Sequence, residues 1–232
     1  MLRPSAITLL VAVVMLLLSP VPAYAAPRQG PACPSLEGCY DYDQMQAFYD
    51  EVLRMIDGFS AAEYPAGMRQ PSYWYVRSAE QKSIGCNGVA DGVAFFHCPV
   101  DDTVYVGQDQ LWDFYRMSGD GAAAFAIAHE WGHHVQHTVG VFDYVDDQRS
   151  KIASENQADC IGGAFLGYLR DQGILEEDDY RDVGAVLPEI ASAEDDVYRD
   201  HGTVDERAQS ALYGLANGLA GCSAFFPAAP LV

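Results

Sequence analysis

The chain has 232 residues, half of them hydrophobic, and its 33 acidic against 13 basic side chains give a formal net charge of −20. This length suits one domain with a sizeable core. The charge argues against a nucleic-acid partner, whose affinity rests on Lys and Arg neutralising phosphates, and equally against an anionic membrane surface.

The first segment is a targeting pattern. Arg3 precedes an apolar run from Leu9 to Leu18, Pro20 and Pro22 interrupt it, and Ala23-Tyr24-Ala25 is an A-x-A cleavage signal. Residues 1–25 therefore read as a signal peptide cut after Ala25, so a secreted or extracytoplasmic protein is expected. The apolar run is shorter than the roughly 20 residues of a bilayer span; retention as an uncleaved anchor is the alternative, and no stable span is expected after cleavage. Residues 26–41 form a Pro/Gly-rich lead with a small disulfide loop, and residues 42–232 read as a single domain.

A first amphipathic helix is expected from Tyr42 to Phe59, with Met45, Phe48, Tyr49, Val52, Ile56 and Phe59 on one face. Ser72 to Arg77, Gly92 to Cys98 and Thr103 to Val106 follow as short strands rich in aromatic and β-branched residues. An Ala-rich helix spans Asp120 to Val139, opening after Ser118 and Asp120 as cap-capable residues and stopping at Gly140. Another helix spans Ser150 to Arg170, and the remainder is largely helical, interrupted by Gly173 and Pro188 and ending with a helix from Asp205 to Leu219.

The Ala-rich helix carries His129-Glu130-Trp131-Gly132-His133. Residues four apart on a helix lie about 40° apart, so both imidazoles can converge on one ion while Glu130 sits beside an open coordination position. A hydrolytic zinc needs a third protein ligand and one exchangeable water. His134 points about 100° away from His133, and His129 to His137 spans about 12 Å along the axis, too far for three rings to share an ion. The second helix offers Glu155 and, one turn on, Asp159, directly before the apolar, small-residue run Cys160 to Leu166. Glu155 can close the zinc triad, and Asp159 can accept the free ring N–H of His129 and fix its tautomer. Cys160 is a rival ligand, but it points about 100° away from Asp159 and has Cys222 as a partner.

His-Glu-x-x-His followed by Glu155 to Asp159 on a second helix resembles the gluzincin branch of zinc metallopeptidases. More narrowly, Ala128 to Gln136, Glu155 to Asp159, and His201-Gly202-Thr203 with Arg207 resemble the putative neutral zinc metallopeptidase family of bacteria, with the similarity running from roughly Val52 to the C-terminus. The chain departs from that pattern at His97, at Gly107-Gln108 and at Glu206. Metzincins are excluded, because they place Gly and His where Gln136 and Val139 stand. The resemblance implies an α+β, zincin-like fold, mostly helical with a small sheet N-terminal to the active-site helix. It also implies one catalytic zinc on His129, His133 and Glu155, with Glu130 as general base for water attacking a peptide carbonyl. His201 is the candidate donor to the oxyanion, its alternative being to order the turn before the last helix. Arg207 is expected to pair with a nearby acid rather than bind substrate carbonyls.

The six cysteines, an even number, suit an oxidising compartment. The favoured pairing is Cys33 with Cys39 and Cys86 with Cys98, each closing a short loop, and Cys160 with Cys222, tying the tail to the ligand-bearing helix. Calcium is a further candidate ion for the acidic runs Asp146-Asp147, Glu176 to Asp179 and Glu194 to Asp196, although no loop matches a calcium motif. An exposed sheet edge, Thr103 to Val106 or Gly92 to Phe96, is expected to receive an extended peptide or protein substrate as an added strand. Two other functions fit the same residues: a secreted zinc-stabilised binding protein with little turnover, and a cell-wall peptide hydrolase.

Overall fold

The apolar stripe at helical spacing near the start of the domain forms as expected. A computed structural model describes residues 39–232; the signal peptide, most of the Pro/Gly-rich lead and Cys33 lie outside the described residues. Asp41 caps a 3-10 turn, Tyr42–Gln44, that leads into α1 (Met45–Glu63), and all six residues of the stripe are buried. Phe59 seats this helix against the centre of the molecule, its ring edge-on to Trp131 at 5.6 Å.

The strands that follow are β1 (Ser72–Val76), β2 (Lys82–Ile84), β3 (Gly88–Ala90), β4 (Phe95–Cys98) and β5 (Thr103–Gly107). β2 and β3 form a separate antiparallel pair, while the main sheet has the order β1-β5-β4, parallel between β1 and β5 and antiparallel between β5 and β4. Thr103 to Val106 is therefore the central strand rather than an edge, which corrects one of the two expected docking edges; its five buried residues serve both faces. Val104 and Val106 face the helical core, and Tyr105 faces a smaller cluster with Val76, Ala90, Ala94 and Cys98. β4 starts at Phe95 rather than Gly92, because Gly92 is held in a turn pressed against Gly107, where neither glycine has room for a side chain. The Cys86–Cys98 disulfide ties the small hairpin to β4.

β5 runs directly into α2 (Gln108–Ser118), a helix the sequence reading leaves undefined. α3 (Asp120–Val139) follows with the expected limits, but neither Ser118 nor Asp120 caps it. Gly119 takes that position at φ 98°, a conformation suited to glycine, and a side chain there would collide with the Asp182 carboxylate. Every residue of α3 from Asp120 to Gln136 except His133 is buried, so α3 is the central helix.

α4 (Gln148–Asp171) starts on an Asp147–Ser150 capping box and crosses α3 where Gly132 faces Ala158 and Ile161. Gly173, at φ 70°, ends it. α5 (Asp179–Ile190) contains Pro188 instead of being interrupted by it, since the carbonyl that loses a partner belongs to exposed Gly184 and can be hydrated. α6 (Val204–Cys222) starts on a Thr203–Glu206 capping box and packs closely on α4, with Gly163 against the Ala211 carbonyl and Gly214 against the Cys160 carbonyl. The Cys160–Cys222 disulfide fastens the same pair of helices. The fold is α+β, mostly helical, with its small sheet N-terminal to α3, and among the described residues no helix is long and apolar enough to cross a membrane.

Candidate metal centre

The crossing of α3 and α4 at Gly132 lets the two helices approach closely enough for side chains from both to meet. One ligand atom each from His129, His133 and Glu155 lie within 4.8 Å of one another. His129 Nε2 is 3.3 Å from Glu155 Oε2, and His133 Nε2 is 3.4 Å from Glu155 Oε1. Each ring is turned by a bond at its far nitrogen. His129 Nδ1 is 2.8 Å from Asp159 Oδ1, and His133 Nδ1 is 2.8 Å from Gln136 Oε1. Both partners are acceptors, so both rings donate from Nδ1, and in the neutral tautomer each points an Nε2 lone pair at Glu155.

The donor set fits a divalent ion of the zinc type. Two neutral imidazoles and a carboxylate are a common catalytic zinc set, and Glu155 Oε2 is buried without a hydrogen bond although two ring nitrogens stand near it. A cation between these atoms would satisfy all of them at once. Burial alone would lower the His129 imidazole, but the Asp159 and Glu155 carboxylates overcome it and hold its pKa up at about 10. His133 is raised in the same way, against its burial, by Glu155. Burial would raise Glu155, yet His133 and His129 hold it well below the usual carboxylate range.

Glu130 stands beside these groups without joining them. Its Oε2 accepts the backbone N–H of His97 at 2.9 Å, and burial pushes its carboxyl up against the pull of His129 and His133. In an antiparallel pair, neighbouring residues point their backbone groups to opposite sides. Because Ala94 O accepts from Gly107 on the β5 side, Phe95 and His97 turn theirs outward, and Glu130 occupies the position of His97 on that edge. A cavity of about 470 Å³ opens here, lined by His129, Glu130, His201 and the apolar Val93, Phe95 and Phe114. His201 is half-exposed, its Nε2 3.4 Å from Glu155 Oε2 and its Nδ1 2.9 Å from Asp200. It stands at the mouth of the site outside the three-ligand group.

Arg207 also lines the cavity, but its guanidinium is taken up by protein acceptors. Its Nε and Nη2 donate to the two oxygens of Asp159 at 2.9 and 2.8 Å, and its Nη1 donates to the Ile190 carbonyl at 2.6 Å. Cys160 is in its disulfide and is no ligand. Sequence reasoning did not find Gln136, which also donates to Ser154 O and Gln157 Oε1 and so links α3 to α4. The available signal was a polar residue one turn beyond His133 in an otherwise apolar helix. It also missed the contact of Glu130 with β4, which only the tertiary fold creates.

An α+β domain with a two-helix His/His/Glu cluster and a second glutamate beside it has the frame of a zincin. The family described as "Putative neutral zinc metallopeptidase" matches residues 69–217, more than half the chain, and the protein belongs to that family. It is 34% identical over 108 residues to Uncharacterized protein YpfJ of Escherichia coli (strain K12), a match covering 41% of this chain and 38% of that protein. It is also 34% identical over 97 residues to Uncharacterized protein Rv2575 of Mycobacterium tuberculosis (strain ATCC 25618 / H37Rv), covering 38% of this chain and 33% of the relative. The matches therefore span well under half the length of these relatives. No solved structure matches the chain.

Proposed function

We propose that the protein is a secreted zinc-dependent metallopeptidase that cleaves peptide bonds in extended substrates. One observation carries this reading: three ligand atoms converge across α3 and α4 while Glu130, buried and raised in pKa, faces the same cavity without being used as a ligand. A purely structural metal site has no need for such a carboxylate. His129, His133 and Glu155 would hold the ion, which supplies Lewis acidity that acidifies water and polarises a carbonyl.

The chain's own residues account for the other parts. Glu130 takes the proton of the attacking water and passes it to the leaving amine; a raised pKa brings its proton affinity closer to that task. The outward backbone groups of Phe95 receive the substrate's main chain, which holds the peptide extended without reading most of its side chains. Val93, Phe95 and Phe114 favour an apolar substrate side chain beside the scissile bond. His201, at the mouth, donates to the oxygen that gains charge, a role commonly worth about 3 kcal/mol. Asp200, 2.9 Å from its Nδ1, orients the ring for this. Export from the cytosol is consistent with the A-x-A signal and with the disulfides Cys86–Cys98 and Cys160–Cys222.

The test is zinc content and hydrolysis of an unfolded protein, measured on the parent, Glu155→Ala and Glu130→Gln. Glu155→Ala is expected to lose zinc and activity together. Glu130→Gln is expected to keep its zinc and lose about 10²-fold or more in kcat. Full turnover in Glu130→Gln would show that another group is the base, and zinc retained with unchanged affinity in Glu155→Ala would remove the proposed ligand set.

A further inference from the structure

The chain contains six histidines, and the fold divides them into two groups. His129, His133 and His201 surround Glu155; His97, His134 and His137 surround Asp102 on another side of α3. His97 comes from β4, Asp102 from the turn before β5, and the other two from α3.

We propose that His97, His137 and Asp102 form a second site for a divalent transition metal of the zinc type, separate from the catalytic centre. One ligand atom each from these residues lie within 4.8 Å of one another. Asp102 Oδ1 is 3.1 Å from His97 Nε2 and 3.7 Å from His137 Nδ1. Ligands of a tetrahedral zinc stand about 3.3 Å apart, so small side-chain rotations suffice to enclose an ion.

The hydrogen bonding shows which rings are available. His134 has both nitrogens engaged, Nδ1 with Asp102 Oδ1 at 2.7 Å and Nε2 with the Arg69 carbonyl at 2.8 Å, so it positions Asp102 instead of binding metal. His97 and His137 differ from it. The side chain of His97 is 0% exposed, and its Nε2, 3.1 Å from Asp102 Oδ1, is the nitrogen an ion would take over from that hydrogen bond. Nδ1 of His137 is buried without a hydrogen-bond partner, 3.7 Å from the same Asp102 oxygen; such a nitrogen is costly, and a cation can satisfy it. Two imidazoles with one carboxylate favour zinc, cobalt or nickel over calcium or magnesium. Arg69 reaches Asp102 Oδ2 at 2.6 Å from a side chain that is 72% exposed, so it can swing into solvent as an ion enters.

The site bears on the proposed chemistry through His97, whose backbone N–H is the donor to Glu130. An ion on the His97 ring would fix that part of β4 from behind. Metal binding at this second site does not depend on the first being catalytic.

Metal-free protein titrated with Co²⁺ and with Zn²⁺ near neutral pH tests this, using the parent, Glu155→Ala, His137→Gln and the double variant. The expected stoichiometry is two ions per chain for the parent, one for each single variant and none for the double variant. His137→Gln that binds as many ions as the parent overturns the second site. Failure of the catalytic-site reading looks different: the parent and Glu155→Ala then bind the same number of ions, while His137→Gln binds one fewer. If His137→Gln does not fold, NMR line broadening by Co²⁺ in Glu155→Ala answers the same question. Broadening centred on His97 and His137 supports the site, and broadening centred on His129 and His133 overturns it.

Discussion

Arg207→Met isolates one interaction on which the metal centre rests. The Arg207 side chain is 3% exposed and that of Asp159 is 0%, so the pair lies out of water. The substitution keeps most of the apolar stem, deletes two charge-assisted bonds to Asp159 and one to the Ile190 carbonyl, and leaves Asp159 with His129 as its remaining partner. Removing one member of a buried pair typically costs about 3–5 kcal/mol, because the other charge stays buried without compensation. The raised pKa of His129 lets it offset part of this, so about 3 kcal/mol is expected in urea unfolding of chelator-treated protein. Adding Asp159→Asn removes the stranded charge and should restore at least about 1 kcal/mol relative to Arg207→Met alone. A loss below about 1 kcal/mol, or losses that simply add in the double variant, would refute the argument that this pair is a desolvated unit.

Three further outcomes follow from the same structure. Gly214→Ala drives a methyl into the Cys160 carbonyl at the α4–α6 crossing and should cost about 3 kcal/mol or more, whereas Gly184→Ala, on an open face of α5, should gain up to about 1 kcal/mol; equal effects in thermal unfolding would contradict this packing. Burial, followed by repulsion from Asp179, pushes the Asp120 carboxyl from 3.8 up to about 7. The folded state then binds the proton more tightly than the unfolded chain, so this group's contribution is present below pH 4 and is lost as pH rises through 7, by at most about 4 kcal/mol. Asp120→Asn should therefore stabilise the protein at pH 8 and change little at pH 4, and a pH-independent difference would show that Asp120 is not the titrating group. Zinc uptake should release protons even at pH 8, since His129 is held up at about 10, and affinity should fall as pH falls; a calorimetric titration with no dependence on buffer ionisation enthalpy would argue against this.

How much of this was legible in the sequence depended on whether the signal was local. The five-residue motif on α3 and the pair Glu155 and Asp159 on α4 could be read because a helix turns about 100° per residue, which fixes which side chains share a face. The α1 stripe has the same origin, while the end of α3 was marked by Gly140. The β2–β3 hairpin was not legible, because strands of three residues carry too little alternation to stand out, and α2 starts directly on β5 with no cap residue to mark it. The central position of β5 followed from the fact that β1 pairs with it in parallel across a long connection, which no local pattern encodes. Likewise His134 was recognisable as structural by its direction on the helix, but its partner Asp102 lies 32 positions away in the chain. Of the acidic runs, only Asp179 joins a three-acid group among the described residues, with Asp120 and Asp182, and that group gives calcium no independent support.

The pKa directions at the His129, His133 and Glu155 cluster have a common cause in its charge. Glu155 and Glu130 bring two carboxylates into a space largely closed to water, while the charge of Asp159 is offset by Arg207. Leaving these two carboxylates uncompensated away from water is unfavourable, and His129, His133 and Glu130 are all raised toward their protonated forms. A divalent ion would supply two positive charges at one point between the ligands, which suits this cluster better than a monovalent ion would. The two rings are supported unequally, His129 by a carboxylate and His133 by the neutral amide of Gln136. The Asp159 carboxylate helps to hold His129 at about 10, so proton competition with metal at that ligand extends well above neutral pH.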